Sequence, residues 1–296
     1  MSALKNHLFL YGNIFLDYPV DNFLIPIYTI FYHLSLDSNS GGILTMLKKW
    51  NVTIPKLSGE KERKAYIYLP TSYAKNPDKY YPVMYMFDGH NVFLDEDATY
   101  GKSWGMKNYL DACRKDLIVV AVECNHEGNR RLVEYSPLTY QNSEHGSIKG
   151  KGSVLMNWMV NTLKPYVDAN YRTLPDRKNT IIAGSSMGGL MALYGVTCYN
   201  KVFPRAALLA PSLWVAPSKL YNMVARANMK FATTIYMDYG SEEIFNHDGS
   251  DDALIAMTTL LLKKRANLTF RIVPGGTHSE ASWEQQIPVF MDCLKL

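Results

Sequence analysis

Only four cysteines occur in the 296 residues, at positions 113, 124, 198 and 293, with no C-x-x-C pair. That spacing excludes a small disulfide scaffold and suits a reducing, cytoplasmic setting. Long basic runs are also missing. Lys+Arg number 31 and Asp+Glu 27, leaving a net charge of +4, and the basic doublets and the triplet Lys263-Lys264-Arg265 are scattered, so no nucleic-acid footprint is formed. No apolar run reaches the roughly 20 residues of a membrane span; the cleanest, Phe23 to Leu34, has 12. Histidine pairs with H-x-H or H-E-x-x-H spacing are absent, so no metal is expected, and no cofactor is implied. Repeats and low-complexity tracts are absent too. With 47% hydrophobic residues the chain can bury a sizeable core, which excludes a disordered polyelectrolyte. A homo-oligomer is compatible with this composition.

Residues 1–42 differ from the rest. They are apolar and aromatic, interrupted by Asp17, Pro19, Asp21 and Pro26, and they lack both a basic n-region and a small-x-small cleavage site. They are read as an N-terminal appendage of unknown role, and residues 43–296 as the working domain, beginning near Met46.

From Lys64 onward short apolar runs alternate with stretches of helical period, the pattern of an α/β fold whose mainly parallel central sheet carries helices on both faces. Expected strands are 65–69, 83–87, 117–122, 180–183, 206–209, 234–237 and 269–273. Expected helices are 104–114, 153–169 with a kink at Pro165, 189–199, 251–265 and 282–294. Residues 211–229 read as a loop with a short helix over the carboxyl edge of the sheet, where ligands collect in such folds.

Gly184-Ser185-Ser186-Met187-Gly188 matches G-x-S-x-G, with an apolar strand running in and a helical pattern leaving. This is the setting of a nucleophile elbow, and the spacing of the glycines selects Ser186. A serine hydroxyl needs a base. Of seven histidines, His7 and His33 fall in the appendage, His126 and His145 in polar loops, His247 before a helix and His90 after an early strand. His278, between the last strand and the C-terminal helix, stands where a hydrolase sheet places its base. For the carboxylate that orients it, the loop after the sixth of these strands offers Glu243, preferred, then Glu242 and Asp238, with Asp248 further on. An oxyanion hole is expected from the amide of Met187 and from that of His90 or Asn91, in Phe87-Asp88-Gly89-His90-Asn91. Trp104, Trp214 and Arg130 are candidate substrate-binding residues, with Tyr135 and Trp283 nearby.

Tyr85-Met-Phe-Asp-Gly-His-Asn-Val-Phe, Arg130-Arg-Leu-Val-Glu-Tyr-Ser-Pro, Tyr171-Arg-Thr-Leu-Pro-Asp, Ala183-Gly-Ser-Ser-Met-Gly-Gly-Leu, Gly240-Ser-Glu-Glu and Gly276-Thr-His-Ser-Glu-Ala-Ser-Trp follow in an order that resembles the putative-esterase family of α/β-hydrolases, over about residues 50–296. That group includes enterochelin esterases, S-formylglutathione hydrolase (esterase D), feruloyl and acetyl-xylan esterases, and mycolyltransferases. The resemblance implies Ser186 as nucleophile and His278 as base. The family's G-x-x-[DE] acid falls on Glu243, here Glu where many members have Asp, and His90 replaces the usual Gln. Implied is a serine carboxylesterase acting through an acyl-enzyme on a small-molecule or oligosaccharide ester, acetyl, feruloyl or similar. Acyl transfer by the same triad and a non-catalytic binding protein on the same fold are the competing readings.

Overall fold

The computed structural model describes residues 46–229, 232–243 and 250–296. The proposed appendage, with His7 and His33, lies outside the described residues, as do His247 and Asp248.

Eight strands form one sheet: β1 (Met46–Ile54), β2 (Gly59–Leu69), β3 (Val83–Met86), β4 (Ile118–Val122), β7 (Thr180–Ser185), β8 (Arg205–Leu209), β9 (Thr234–Gly240) and β10 (Asn267–Val273). A separate hairpin pairs β5 (Tyr140–Asn142) with β6 (Gly146–Ile148). The order in the sheet is β1-β2-β4-β3-β7-β8-β9-β10. The first two strands are antiparallel to their neighbours and the remaining six are mutually parallel. The mainly parallel α/β architecture expected from the alternation is therefore present. Strands β3, β4 and β7 are buried at every position, as their continuous apolar sequences require of strands covered on both faces.

Helices α1 (Pro55–Ser58), α2 (Met106–Cys113), α3 (Arg130–Glu134), α4 (Gly152–Trp158), α5 (Lys164–Asn170), α6 (Met187–Cys198), α7 (Pro217–Arg226), α8 (Ser250–Lys263), α9 (Glu280–Glu284) and α10 (Ile287–Cys293) complete the described fold. Helix α6 runs beneath the carboxyl edge with ten of its side chains or glycines buried, so its sequence MGGLMALYGVTC carries no polar stripe.

Two expected helices differ from expectation, each at a proline. Where a kink at Pro165 is expected, a π turn over Met159–Leu163 joins α4 to α5, and Pro165 falls in the first turn of α5, where its missing N–H is tolerated. The C-terminal helix breaks into α9 and α10, with Pro288 in the first turn of the second. At one end of the sheet, Arg63 of β2 is buried and donates to Glu134 Oε1 at 2.8 Å, an ion pair that fastens α3 to the antiparallel strands. Glu134 Oε1 also accepts from the Asn125 amide at 2.7 Å, so the buried carboxylate is satisfied from two sides.

Candidate active site

Strand β7 ends at Ser185 and α6 begins at Met187, so Ser186 alone makes the turn, at φ 55° and ψ −124°. A side chain other than glycine's rarely adopts positive φ, and holding it there costs about 1–3 kcal/mol. The backbone is held by its surroundings: Ser186 N–H donates to Leu209 O at 2.9 Å, and Ser186 O accepts from Leu190 and Ser212 amides, both at 3.0 Å. The flanking glycines have steric reasons. A Cβ on Gly184 would stand 2.6 Å from the Gly188 carbonyl, and one on Gly188 would stand 3.0 Å from Phe87 Cβ and 3.2 Å from Asp88 Oδ2. Ser185 is buried in the sheet, whereas Ser186 is partly open. Its Oγ lies 3.5 Å from Ser212 Oγ, and no hydrogen bond to His278 is formed among the described residues.

His278 lies between β10 and α9, and its Nδ1 hydrogen-bonds Glu243 Oε2. The second carboxylate oxygen of Glu243 accepts from the Gly240 amide at 2.8 Å. The carboxylate is 5% exposed and the imidazole 42%, so a buried acid holds one edge of a ring that is otherwise open to solvent. Parallel pairing sets Gly240 opposite Val273, and the two chains stay stitched beyond the sheet. Ser241 N–H donates to Val273 O at 2.9 Å, and Glu242 N–H to Gly276 O at 3.0 Å. Gly240 permits this approach, since a Cβ there would stand 2.1 Å from Gly276 O. The Trp283 ring meets His278 edge-on at 5.1 Å.

The other two acid candidates are placed differently. Glu242 is exposed and contacts Ser241 Oγ. Asp238 is buried beneath the loop, accepting from Tyr236 OH at 2.7 Å and from the Ala210 amide at 3.3 Å. Burial, helped by the charge of Glu243, pushes the Asp238 carboxyl up to about 7. Between its ordinary 3.8 and about 7 the folded chain thus keeps a proton that the unfolded chain releases, and stability falls as pH rises through that window. Asp238→Asn should flatten this fall, read as urea midpoints across the window; parallel slopes in the two proteins would contradict it.

The chain leaving β3 turns sharply. Asp88 has φ 54° and its amide donates to Tyr135 OH at 2.9 Å, and a 3₁₀ turn follows over Gly89–Asn91. Arg131 grips the Asp88 carboxylate with both Nε, at 2.8 Å, and Nη2, at 2.7 Å. Burial pushes this carboxyl up, but the guanidinium more than offsets it and holds the group below the ordinary carboxylate value. The Asn91 amide, one of the two expected oxyanion donors, donates instead to Asp88 O at 2.8 Å. The His90 amide stays at the open head of the turn, as the Met187 amide does at the head of α6. Asn91 contributes its side chain, donating to Glu280 Oε1 at 3.0 Å.

Ser186 and His278 line one cleft of about 770 Å³, whose walls include Asp88, His90, His126, Arg131, Glu280 and Trp283. None of the three expected substrate-binding residues belongs to it. Trp104 is buried in the core against Trp283 and Phe290, with ring centroids 6.0 and 6.4 Å away. Trp214 packs on Tyr140 at 6.1 Å, and Arg130 is exposed. Their places are taken by Trp283 and by Arg131, which the pairing with Asp88 draws inward. Nothing in the Arg130-Arg131 doublet tells the two apart before α3 fixes which faces the cleft.

The sequence matches the Esterase family, described as putative esterase, over residues 58–291. A Bacillus subtilis (strain 168) protein, YbbA, is 22% identical over 187 residues, covering 61% of this chain and 69% of its own. An iron(III) salmochelin esterase of Escherichia coli O6:H1 (strain CFT073) is 32% identical over 96 residues, 31% of this chain and 24% of that protein. Among solved structures, an IroE-like serine hydrolase from Shewanella oneidensis superposes with a TM-score of 0.65 at 19% identity, covering 85% of this chain and 79% of that one. With that fold and with the family match running through most of its length, the chain belongs to the putative esterase family and is an ester-hydrolysing enzyme of the α/β-hydrolase fold.

Proposed function

We propose that the protein is a serine carboxylesterase in which Ser186 is the nucleophile, His278 the general base and Glu243 the acid that orients it. The observation that carries this reading is a strained, partly open serine on the same cleft as an exposed imidazole, His278, that buried Glu243 holds from behind. An ester carbonyl seated over Ser186 presents its oxygen to the amides of Met187 and His90. Both stand at the heads of helical turns, where N–H groups lack backbone acceptors. As Oγ attacks, its proton passes to His278 Nε2, and Glu243 stabilises the imidazolium through Nδ1. The same proton then goes to the departing alcohol, leaving an acyl group on Ser186. Water, deprotonated by the same imidazole, releases the acid.

For the ring to reach Oγ, the hydroxyl leaves Ser212 and the imidazole swings on its exposed side; catalytic hydrogen bonds commonly tighten only in the substrate complex. The cleft lies within the 300–1,000 Å³ typical of small-molecule sites, which suits an acyl group together with part of its alcohol. The Trp283 face offers a wall for an apolar or aromatic acyl chain. The Asp88–Arg131 pair offers polar atoms to a hydroxyl-rich alcohol, as in acetylated or feruloylated sugars. The name of the salmochelin esterase adds siderophore esters to the candidates. Four unpaired, widely separated thiols favour a cytoplasmic setting.

An alkyl fluorophosphonate tests the assignment. Incubation should add one phosphonyl mass, confined to the peptide containing Ser186, and Ser186→Ala should take up none. Folded protein that stays unlabelled, or is labelled on another residue, would count against the serine mechanism.

A further inference from the structure

Three side chains that the ester chemistry leaves unused converge on the far wall of the cleft. His90 stands on the turn after β3, and Cys124 and His126 on the segment leaving β4. These strands are parallel neighbours, with Met86 opposite Ala121, so both chains leave the sheet side by side. The ligating atoms of the three residues all lie within 4.8 Å of one another. Cys124 Sγ is 4.0 Å from His126 Nδ1, and the two imidazoles meet edge-on with centroids 4.5 Å apart. His90 is only 4% exposed, and its Nδ1 is shut off from solvent with no hydrogen-bond partner among the described residues. Buried ring nitrogens are normally paired, so an orphaned one in a cluster of soft donors points to a missing ligand.

We propose that His90, Cys124 and His126 bind a transition-metal dication of the Zn²⁺ class, leaving a fourth position open to the cleft. Two imidazoles and a thiolate favour borderline to soft metals over Ca²⁺ or Mg²⁺, which seek oxygen. Zinc bonds of about 2.0–2.1 Å to nitrogen and about 2.3 Å to sulfur require the three donors to draw closer than they now stand. His126 is exposed and precedes Gly128, so it is the member able to close. On binding, the Cys124 S–H bond breaks, sulfur donates its electron pair to the metal, and the proton leaves to solvent. The expectation of no metal rested on the absence of paired histidines along the chain. Here the set is assembled across two strands, with only Cys124-Asn125-His126 contiguous. Occupancy would also tie the turn carrying the His90 amide to the exit of β4, without depending on Ser186.

The test uses the full chain without a polyhistidine tag, titrated with Co²⁺ and then with Zn²⁺. One equivalent of Co²⁺ should produce a near-ultraviolet thiolate-to-cobalt absorption that Zn²⁺ abolishes. Cys124→Ser should lose that absorption. His126→Ala, which removes an exposed ring and leaves the core untouched, should weaken Co²⁺ binding at least tenfold. The proposal is overturned by folded protein that binds no Co²⁺ at micromolar metal, by binding without the thiolate band, or by undiminished binding in His126→Ala. Should Cys124→Ser not fold, the His126 variant decides alone.

Discussion

Replacing Ser186 with alanine is expected to lower kcat on a carboxylic ester by roughly 10⁴- to 10⁶-fold, with little change in KM. The hydroxyl supplies the bond that forms, whereas the amides of Met187 and His90 and the walls of the cleft, which hold the substrate, are untouched. What survives should be the small acceleration that an oxyanion hole gives to attack by water. Folding should be indifferent to this change, because alanine meets the same penalty at φ 55° that serine already bears. Ser186→Gly separates the two roles of the position. It removes the same nucleophile but relieves the backbone, so its unfolding midpoint should rise by an amount equivalent to about 1 kcal/mol while activity stays lost. Steady-state kinetics and thermal melts on the three proteins decide it. Alanine retaining more than about one hundredth of the activity, far above the residual rate expected of a site without its nucleophile, would place the chemistry elsewhere.

The parallel part of the fold is legible because burial on both faces writes itself as uninterrupted apolar runs, as in Val83–Met86 and Ile118–Val122. The antiparallel end is not. In β1, Met46–Ile54, Lys49, Asn51 and Thr53 alternate with Trp50, Val52 and Ile54 on an edge strand that is only half covered. The first half of β2, Gly-Glu-Lys-Glu-Arg-Lys, is nearly all charged yet extended. Its pairing with β1 from Thr53–Glu62 to Met46–Leu69 specifies it, and that is a nonlocal fact. Arg63 is the clue within it, a charge that makes sense as a buried residue only once Glu134 is beside it.

The candidate site divides in the same way. The turn at Ser186 is a local device, so its glycines and its flanking strand and helix announce it. Which acid meets His278 depends on the β9–β10 register and on the close pass of Gly240 by Gly276, which a list of four acids in one loop does not contain. The cleft walls depend on it more still. Trp104 and Trp283 are equivalent as aromatics near a sheet edge, and both are buried; only packing sets the first on Phe290 and the second beside the histidine. Arg131 and Asp88 are far apart in the chain, and neither is informative without the other.

Glu243→Gln carries the second large effect, a fall in kcat of about 10³- to 10⁴-fold. The substitution is nearly isosteric, and the amide oxygen can still accept from the Gly240 N–H, so the loop has no reason to move. What changes is the partner of His278 Nδ1. A carboxylate accepts a hydrogen bond from Nδ1–H and so leaves Nε2 bare to receive the serine's hydrogen. A carboxamide can offer N–H instead, favouring the tautomer with its proton on Nε2, which has no lone pair for Ser186, and it no longer balances the charge of the imidazolium. The neighbouring acids give the contrast that makes the measurement decisive. Glu242→Gln, exposed and remote from the ring, should change kcat less than about twofold, the behaviour of a surface substitution away from the site. Asp238→Asn should alter the pH dependence of stability described above and leave kcat within about tenfold, because its hydrogen bonds run to Tyr236 and Ala210, not to the imidazole. If Asp238→Asn were the damaging change and Glu243→Gln the mild one, the orienting acid would be the buried strand residue, and the contact between Glu243 and His278 would have no part in turnover.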